Sequence, residues 1–465
     1  MVRANCSNNS PEIKRLLKEK VLDLFSKHTS GESCSDLKIF RIETEVEKID
    51  SLGWLSNQDS SVKAYWSDRD HSLETAGIGE IDVVRGNEPY EFDRFINVIK
   101  DNLKGIHPDI KYYGGVRFND SGIVEDIWKP FGAYRFWIPG VELITEKNSQ
   151  RIACNFKISN SVPHDKQTKK VIDSIENIDL NDRIKFSADN ELIRREDCPG
   201  EAEWYENVEE SLRAIINNEF DKIVLARRTA IEYSENINPL HLLKKIKEIN
   251  PDSFHYYFQP EREFAFVGGS PERLYKRNDK VIKSEAIAGT RLRGENKERD
   301  EELETELLNC EKDLLEHKFV YLSVKNSLED LCEDGIMEDN LKVTKLARLQ
   351  HLFISLQGTL SNGTLDSGIL TALHPTPAVG GFPTDPALKK LESLETFDRG
   401  WYAGPVGWIG SDNAEFAVAI RSGLVHKNKL SLFSGAGIVT GSKPEEEWDE
   451  IENKIKNFLK AFNGK

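Results

Sequence analysis

Apolar positions are spaced along this chain in two ways, and the change from one to the other marks out its elements. Over 11–28, Ile13, Leu16, Leu17, Val21, Leu22, Leu24 and Phe25 recur at helical spacing, after a polar and aperiodic stretch at 1–10. From about residue 38 the pattern becomes one of strands. The runs 37–42, 62–66, 112–118, 133–137 and 152–158 are β-branched or aromatic and are broken by Gly, Asn and Asp, with a helix expected over Phe92–Leu103 between them. Residues 159–200 are polar and read as a surface connection that contains a helix.

After residue 200 the pattern tightens. A helix is expected over 203–217, a strand over 222–227, and a second helix over 240–249 that Asn250-Pro251-Asp252 ends. Strands follow over 254–258, 264–268, 272–276 and 281–288, then one long amphipathic helix over 299–331. Two shorter elements and the strands 406–410, 414–422 and 430–434 precede a last helix, for which Ser442 is the expected N-cap and Glu445 the N3 residue. No repeat period occurs. Strands outnumber helices in runs, so the fold class is α+β.

Length and composition change this picture only at the edges. The 465 residues allow about three domains by length, and 38% hydrophobic residues supply a substantial core. A formal charge of −16 without any basic run argues against nucleic acid or an anionic membrane as partner. No apolar segment approaches a membrane span, and residues 1–30 lack an apolar signal core. Cys6, Cys34, Cys154, Cys198, Cys310 and Cys332 are dispersed without a Cys-x-x-Cys pair, which fits reduced thiols in a cytoplasm.

Candidate chemistry sits where ionisable groups interrupt apolar strands or tight turns. Lys222 opens an apolar strand; such a lysine is ordinarily an edge residue that snorkels, but buried beside other cations it would serve as a general base. Glu272 follows Gly268-Gly269-Ser270-Pro271 and either pairs with Arg273 or acts as a general acid with a raised pKa. Asp313 and Glu316 stand at i and i+3 on the long helix, where exposure is the default. Arg421 closes the apolar run Phe416-Ala417-Val418-Ala419-Ile420 and suggests a bidentate clamp for a carboxylate.

The run Ser434-Gly435-Ala436-Gly437-Ile438-Val439-Thr440-Gly441 reads as a strand that approaches something through its glycines. In the helix after it, Glu447, Glu450 and Lys454 share one face, either as a solvated acidic first turn or as part of a site. His317, His351 and His374 lack metal-ligand spacing. Together, two carboxylate helices, a clamp, an acid and a base suit an anionic substrate bound with magnesium, since hard oxygen ligands can hold that ion while the substrate completes its shell.

These motifs resemble, in order, those of the chorismate-utilising enzymes, the family of isochorismate, salicylate, anthranilate and aminodeoxychorismate synthases. The matching runs are 222–227, 269–272, 288–291, 312–317, 374–378, 397–404, 420–422 and 435–454, a little over half the chain, with a looser match at 113–118. The resemblance implies a large single α+β domain in place of three. A 1–30 tail and helix would precede an N-terminal part, 31–200, interleaved with a chorismate-binding catalytic part, 201–465.

By position, Lys222 matches the base that activates water and Glu272 the acid at the departing hydroxyl. Glu316 and Glu450 match magnesium ligands, with Asp313 and Glu447 beside them. Tyr402, Arg421, Gly435 and Lys454 match groups holding substrate carboxylates, and Thr290 and His351 match pocket positions. Ammonia-using branches usually carry Gln where this chain has Lys222. The aminodeoxychorismate branch has a lysine nucleophile where this chain reads Ala286-Ile287-Ala288-Gly289-Thr290, and His374-Pro375-Thr376-Pro377-Ala378 differs from the anthranilate branch. The implied reaction is therefore formation of isochorismate with Mg2+, without an obligatory glutamine amidotransferase partner. Salicylate formation, by subsequent loss of pyruvate, is the alternative. Gly380-Gly381-Phe382 departs from the Cys-Gly-Thr common in isochorismate synthases, and the product's onward route (menaquinone, siderophore or salicylate) stays open.

Overall fold

The computed structural model describes residues 10–28, 38–87, 89–119, 123–159, 161–182, 184, 190–346 and 348–463. Expectations for 1–9, for Leu37 and for Cys6 and Cys34 lie outside the described residues. Eleven α-helices and two antiparallel sheets of twelve and ten strands account for the described chain, in agreement with the α+β expectation.

The larger sheet runs from Lys38–Glu45 at one edge through Ser149–Ile158, Val141–Glu146, Leu73–Ile78 and Lys63–Ser67. It continues through Phe254–Glu261, Phe264–Ser270, Ser422–His426, Lys429–Ile438 and Lys222–Tyr233 to the short Gly381–Phe382, with Leu192–Cys198 also on Lys222–Tyr233. Strands from before and after residue 200 meet where Lys63–Ser67 pairs with Phe254–Glu261. They meet again in the second sheet, where Tyr112–Val116 pairs with Pro405–Ile409.

Alternation along the central strands divides the interior into two cores. Trp66, Tyr256, Phe258 and Phe266 point between the sheets, where they pack with Trp401 and Phe416. Their neighbours Tyr65, Tyr257 and Val267 point to the other face, which Ser10–His28, Ser51–Asn57, His164–Glu176 and Pro239–Ile249 cover through Leu17, Trp54, Ile175 and Leu243. Strand polarity is therefore masked on both faces of the larger sheet, which explains its nearly continuous aromatic runs.

Four expected elements are corrected. The long helix is two, Lys297–Asn309 and Glu311–Leu331, because Cys310 between them is extended. Amphipathic periodicity continues across that break, so spacing alone could not reveal it. The expected strand over 414–422 ends at Val418, and Arg421 adopts φ 50 before Ser422 begins the next strand. Glu272 precedes its strand, which starts at Arg273. The last helix begins at Pro444, so Ser442 is not its N-cap; its hydroxyl accepts the Val439 N–H at 3.2 Å.

Candidate active site

The site forms where the Lys222–Tyr233 and Lys429–Ile438 strands pair and two helices cross their ends. Register sets Ala226 opposite Gly435 and Val224 opposite Gly437. Glu311–Leu331 packs on Val281–Leu292, and Pro444–Asn463 on Lys429–Ile438. The glycines make room for this. A β-carbon at Gly437 would lie 2.6 Å from Glu316 Oε1 and 3.0 Å from Lys222 Cε, and one at Gly435 3.1 Å from the Tyr402 hydroxyl. Gly437→Ala is accordingly expected to displace the Lys222–Glu316 pair and lower kcat by about 100-fold, as small misplacements do. Circular dichroism and the melting temperature should show the fold retained, because the displaced atoms end flexible side chains.

Lys222 is fully buried rather than snorkelling at an edge, and its Nζ donates to Glu316 Oε1 at 2.9 Å. Asp313 is also buried, not on an exposed face, and pairs with Arg291. On the last helix, Glu447 is 1% exposed and receives Lys312 Nζ at 2.6 Å. Lys454 Nζ donates to Glu450 Oε1 at 2.7 Å and to the Gly435 carbonyl at 2.9 Å. Four acids thus meet four cations in one cluster. Among the described residues no three acidic, histidine or cysteine side chains are arranged as a finished metal cage.

Glu272 stands within electrostatic reach of Lys222 and Arg421. Glu272 is 3% exposed, and Thr376 Oγ1 donates to its Oε1 at 3.4 Å. Burial, reinforced by the charge of Glu285, raises its carboxyl to about 8 against the pull of Lys222 and Arg421, so near neutral pH it keeps its proton. Burial lowers the Arg421 guanidinium to about 10, partly offset by Glu272. Arg421 Nη2 lies 3.1 Å from His351 Nε2. Arginine can only donate, so Nε2 accepts and the ring proton sits on Nδ1, which meets Thr290 Oγ1 at 3.0 Å and the Gly289 carbonyl at 3.3 Å. Burial and then Arg421 lower His351 to about 3, keeping the ring neutral. Tyr402 is buried and stacks on Phe433 at 5.3 Å.

Charge also couples the members of the carboxylate cluster. Glu447, Glu450 and Glu316 together raise Lys312 against its burial. Glu450 is held below the usual carboxylate range although burial opposes this, by Lys454, Lys312 and Lys222. Glu447 moves the other way, because burial outweighs its bond to Lys312. A cavity of about 240 Å³ lined by Arg69, Pro271, Ile287 and His351 adjoins the site. A larger one, about 500 Å³, lies elsewhere around Lys100, Arg277 and Asp366, whose charges pair with one another.

All twelve residues singled out in the sequence fall within this connected region. Lys312, Arg291 and Thr376 were assigned no role, although each stands in a quoted run; ion pairing across elements carries no local sequence signal.

A buried carboxyl and a buried lysine beside a cluster of carboxylates and cations suit a small anionic substrate, and comparison with known proteins narrows the class. Residues 25–463 match the sequence profile described as chorismate binding enzyme. The chain belongs to this family of chorismate-binding enzymes. It is 33% identical over 457 residues to the chloroplastic isochorismate synthase 2 of Arabidopsis thaliana, covering 91% of this chain and 80% of that protein. It is 29% identical to the isochorismate synthase MenF of Bacillus subtilis, over 97% of this chain and 98% of that one. The solved structure of MenF, the menaquinone-specific isochorismate synthase of Escherichia coli, superposes with a TM-score of 0.83 at 25% identity, covering 95% and 99% of the two chains.

Proposed function

We propose that the protein converts chorismate to isochorismate, with water attacking ring C2 and the C4 hydroxyl leaving. The observation that carries this reading is that Glu272 and Lys222 are both buried in one site, within electrostatic reach of each other. Acting as general base, Lys222 takes a proton from water as its oxygen bonds to C2. Glu316, 2.9 Å away, is placed to hold the ammonium that results. As the double bond shifts and the C4–O bond breaks, Glu272 gives its proton to the departing hydroxyl, which leaves as water. One water enters and one leaves, so substrate and product are isomers. Arg421, Lys454 and Tyr402 hold the substrate carboxylates, and the Gly435 backbone allows close approach. His351, fixed as the neutral Nδ1–H form, and Thr290 complete the pocket. A lysine in the base position favours water over ammonia, so no amidotransferase subunit is required.

The donor set fits magnesium: Glu316 and Glu450 offer hard carboxylate oxygens on two helices, with Asp313 and Glu447 beside them. They would hold the ion, which supplies neutralising charge for a substrate carboxylate. Titration calorimetry should show magnesium binding that Glu316→Gln and Glu450→Gln each abolish, and chelation should remove activity. Unchanged binding heat in both variants would sink the assignment of these ligands.

Incubation of the purified protein with chorismate and magnesium tests the function directly. Isochorismate should accumulate to an equilibrium mixture without pyruvate. Stoichiometric pyruvate with salicylate fluorescence would identify the elimination reaction instead. Among the described residues no helix is long and apolar enough to cross a membrane.

A further inference from the structure

Glu272 stands on a short irregular segment between two strands, Phe264–Ser270 and Arg273–Asn278, and something must fix it there. Arg69, more than two hundred residues earlier, does so on one side: its Nη1 donates to the carbonyl of Pro271 at 2.6 Å. The same guanidinium grips Glu285 with two bonds, Nη1 to Oε1 at 2.8 Å and Nη2 to Oε2 at 2.7 Å. Glu285 Oε1 in turn accepts the backbone N–H of Arg273 at 2.8 Å. One ion pair therefore binds the peptides before and after the acid.

We propose that the Arg69–Glu285 pair is a positioning device for Glu272, clamping both flanking peptides while the fixed negative charge of Glu285 keeps the acid in its proton-bearing form. The inference rests on the reading of Glu272 as the general acid. Its second half agrees with the direction in which Glu285 moves the Glu272 carboxyl. The charged groups acting on Glu272 are Glu285, Lys222 and Arg421, and of these only Glu285 favours protonation.

The pair is built to persist. Glu285 has a side chain 2% exposed, and Arg69 one 17% exposed. Both guanidiniums that approach Glu285, those of Arg69 and Arg273, lie over the Phe254 ring at 5.5 and 5.3 Å, an attraction that helps hold them there. A bidentate fork of this kind adds orientation as well as attraction, which a lysine at position 69 could not reproduce. Through Arg69 the N-terminal half of the chain reaches the segment that holds Glu272.

The test is the pH profile of kcat, at saturating magnesium and chorismate, for wild type and for Glu285→Gln, Arg69→Lys and Glu272→Gln. Glutamine at 285 retains an acceptor for the Arg273 N–H but carries no charge. The alkaline limb, expected near the Glu272 value of about 8, should move to lower pH by roughly one unit. KM should stay within a few-fold. Arg69→Lys should lower kcat by about 10-fold to 100-fold with KM little changed, since it keeps charge but loses the fork. A limb that stays at its wild-type position in Glu285→Gln, while Glu272→Gln abolishes turnover, would overturn the clamp alone. A Glu272→Gln variant that retains both turnover and limb would overturn the acid assignment and the clamp with it.

Discussion

Replacement of Lys222 by alanine should lower kcat by about 1,000-fold, ~4 kcal/mol of barrier, with KM within a few-fold of wild type. The reason is geometric. Lys222 Nζ is fully buried, opens the strand that pairs with Gly437 and Ile438, and reaches Glu316 at 2.9 Å. Among the described residues the other buried lysines are Lys63 and Lys111, and neither is among the groups that act on Glu272, so no neighbour is placed to take over the proton. Truncation leaves Glu316 short of one partner, but its side chain is 23% exposed and it also interacts with Lys312, so the fold should survive. Steady-state kinetics together with chorismate binding by calorimetry would check this. Retained turnover in a folded Lys222→Ala protein removes the base from the mechanism.

Replacing Glu272 with glutamine should be about as damaging to kcat, and it carries a second signature in stability. Glutamine keeps the size of the side chain and its contact with Thr376 but cannot release a proton to the C4 oxygen. In the wild-type protein, burial raises the group from 4.5 to about 8. Between those values the folded state binds a proton that the unfolded chain has released. Stability therefore falls as pH rises through this window, and the contribution present below 4.5 is lost by about pH 8. Glu272→Gln has no such loss. Its melting temperature relative to wild type should climb between pH 5 and pH 8, even as its activity is absent throughout. A constant difference across that range would mean that Glu272 is ionised in the folded protein and cannot be the acid.

The fold class and most strands were legible in the sequence because their signals are local. The runs containing Trp66, Tyr256 and Phe266 are strands by residue type alone, whichever core each ring enters. Shorter or more polar strands were missed: Leu73–Ile78, Asp82–Gly86 and Val141–Glu146 owe their pairing to neighbours far along the chain. The break at Cys310 was hidden for a related reason, since an extended residue between two amphipathic helices leaves their apolar spacing undisturbed.

Legibility of the site followed the same rule. Lys222, Glu272 and Arg421 stood out as charges in or beside apolar or glycine-rich runs. Helical spacing grouped Asp313 with Glu316 and Glu447 with Glu450 and Lys454, and resemblance to a family supplied the others and the roles. What no local pattern contained were the partners: Lys312 for Glu447, Arg291 for Asp313, and above all Arg69 and Glu285 around Glu272. Sequence separation of this order, 216 residues for Arg69 and Glu285, is visible only once the sheets are assembled. The burial that raises Glu272 is likewise a property of the packed strands, not of the Gly-Gly-Ser-Pro-Glu segment that holds it.

The most direct measurement is a short reaction with chorismate and magnesium in water enriched in oxygen-18, followed by mass spectrometry of the isochorismate formed. The expected product carries one labelled oxygen at the C2 hydroxyl in the wild-type protein. Unlabelled isochorismate, or labelled product formed at an undiminished rate by Lys222→Ala, would contradict delivery of water by Lys222.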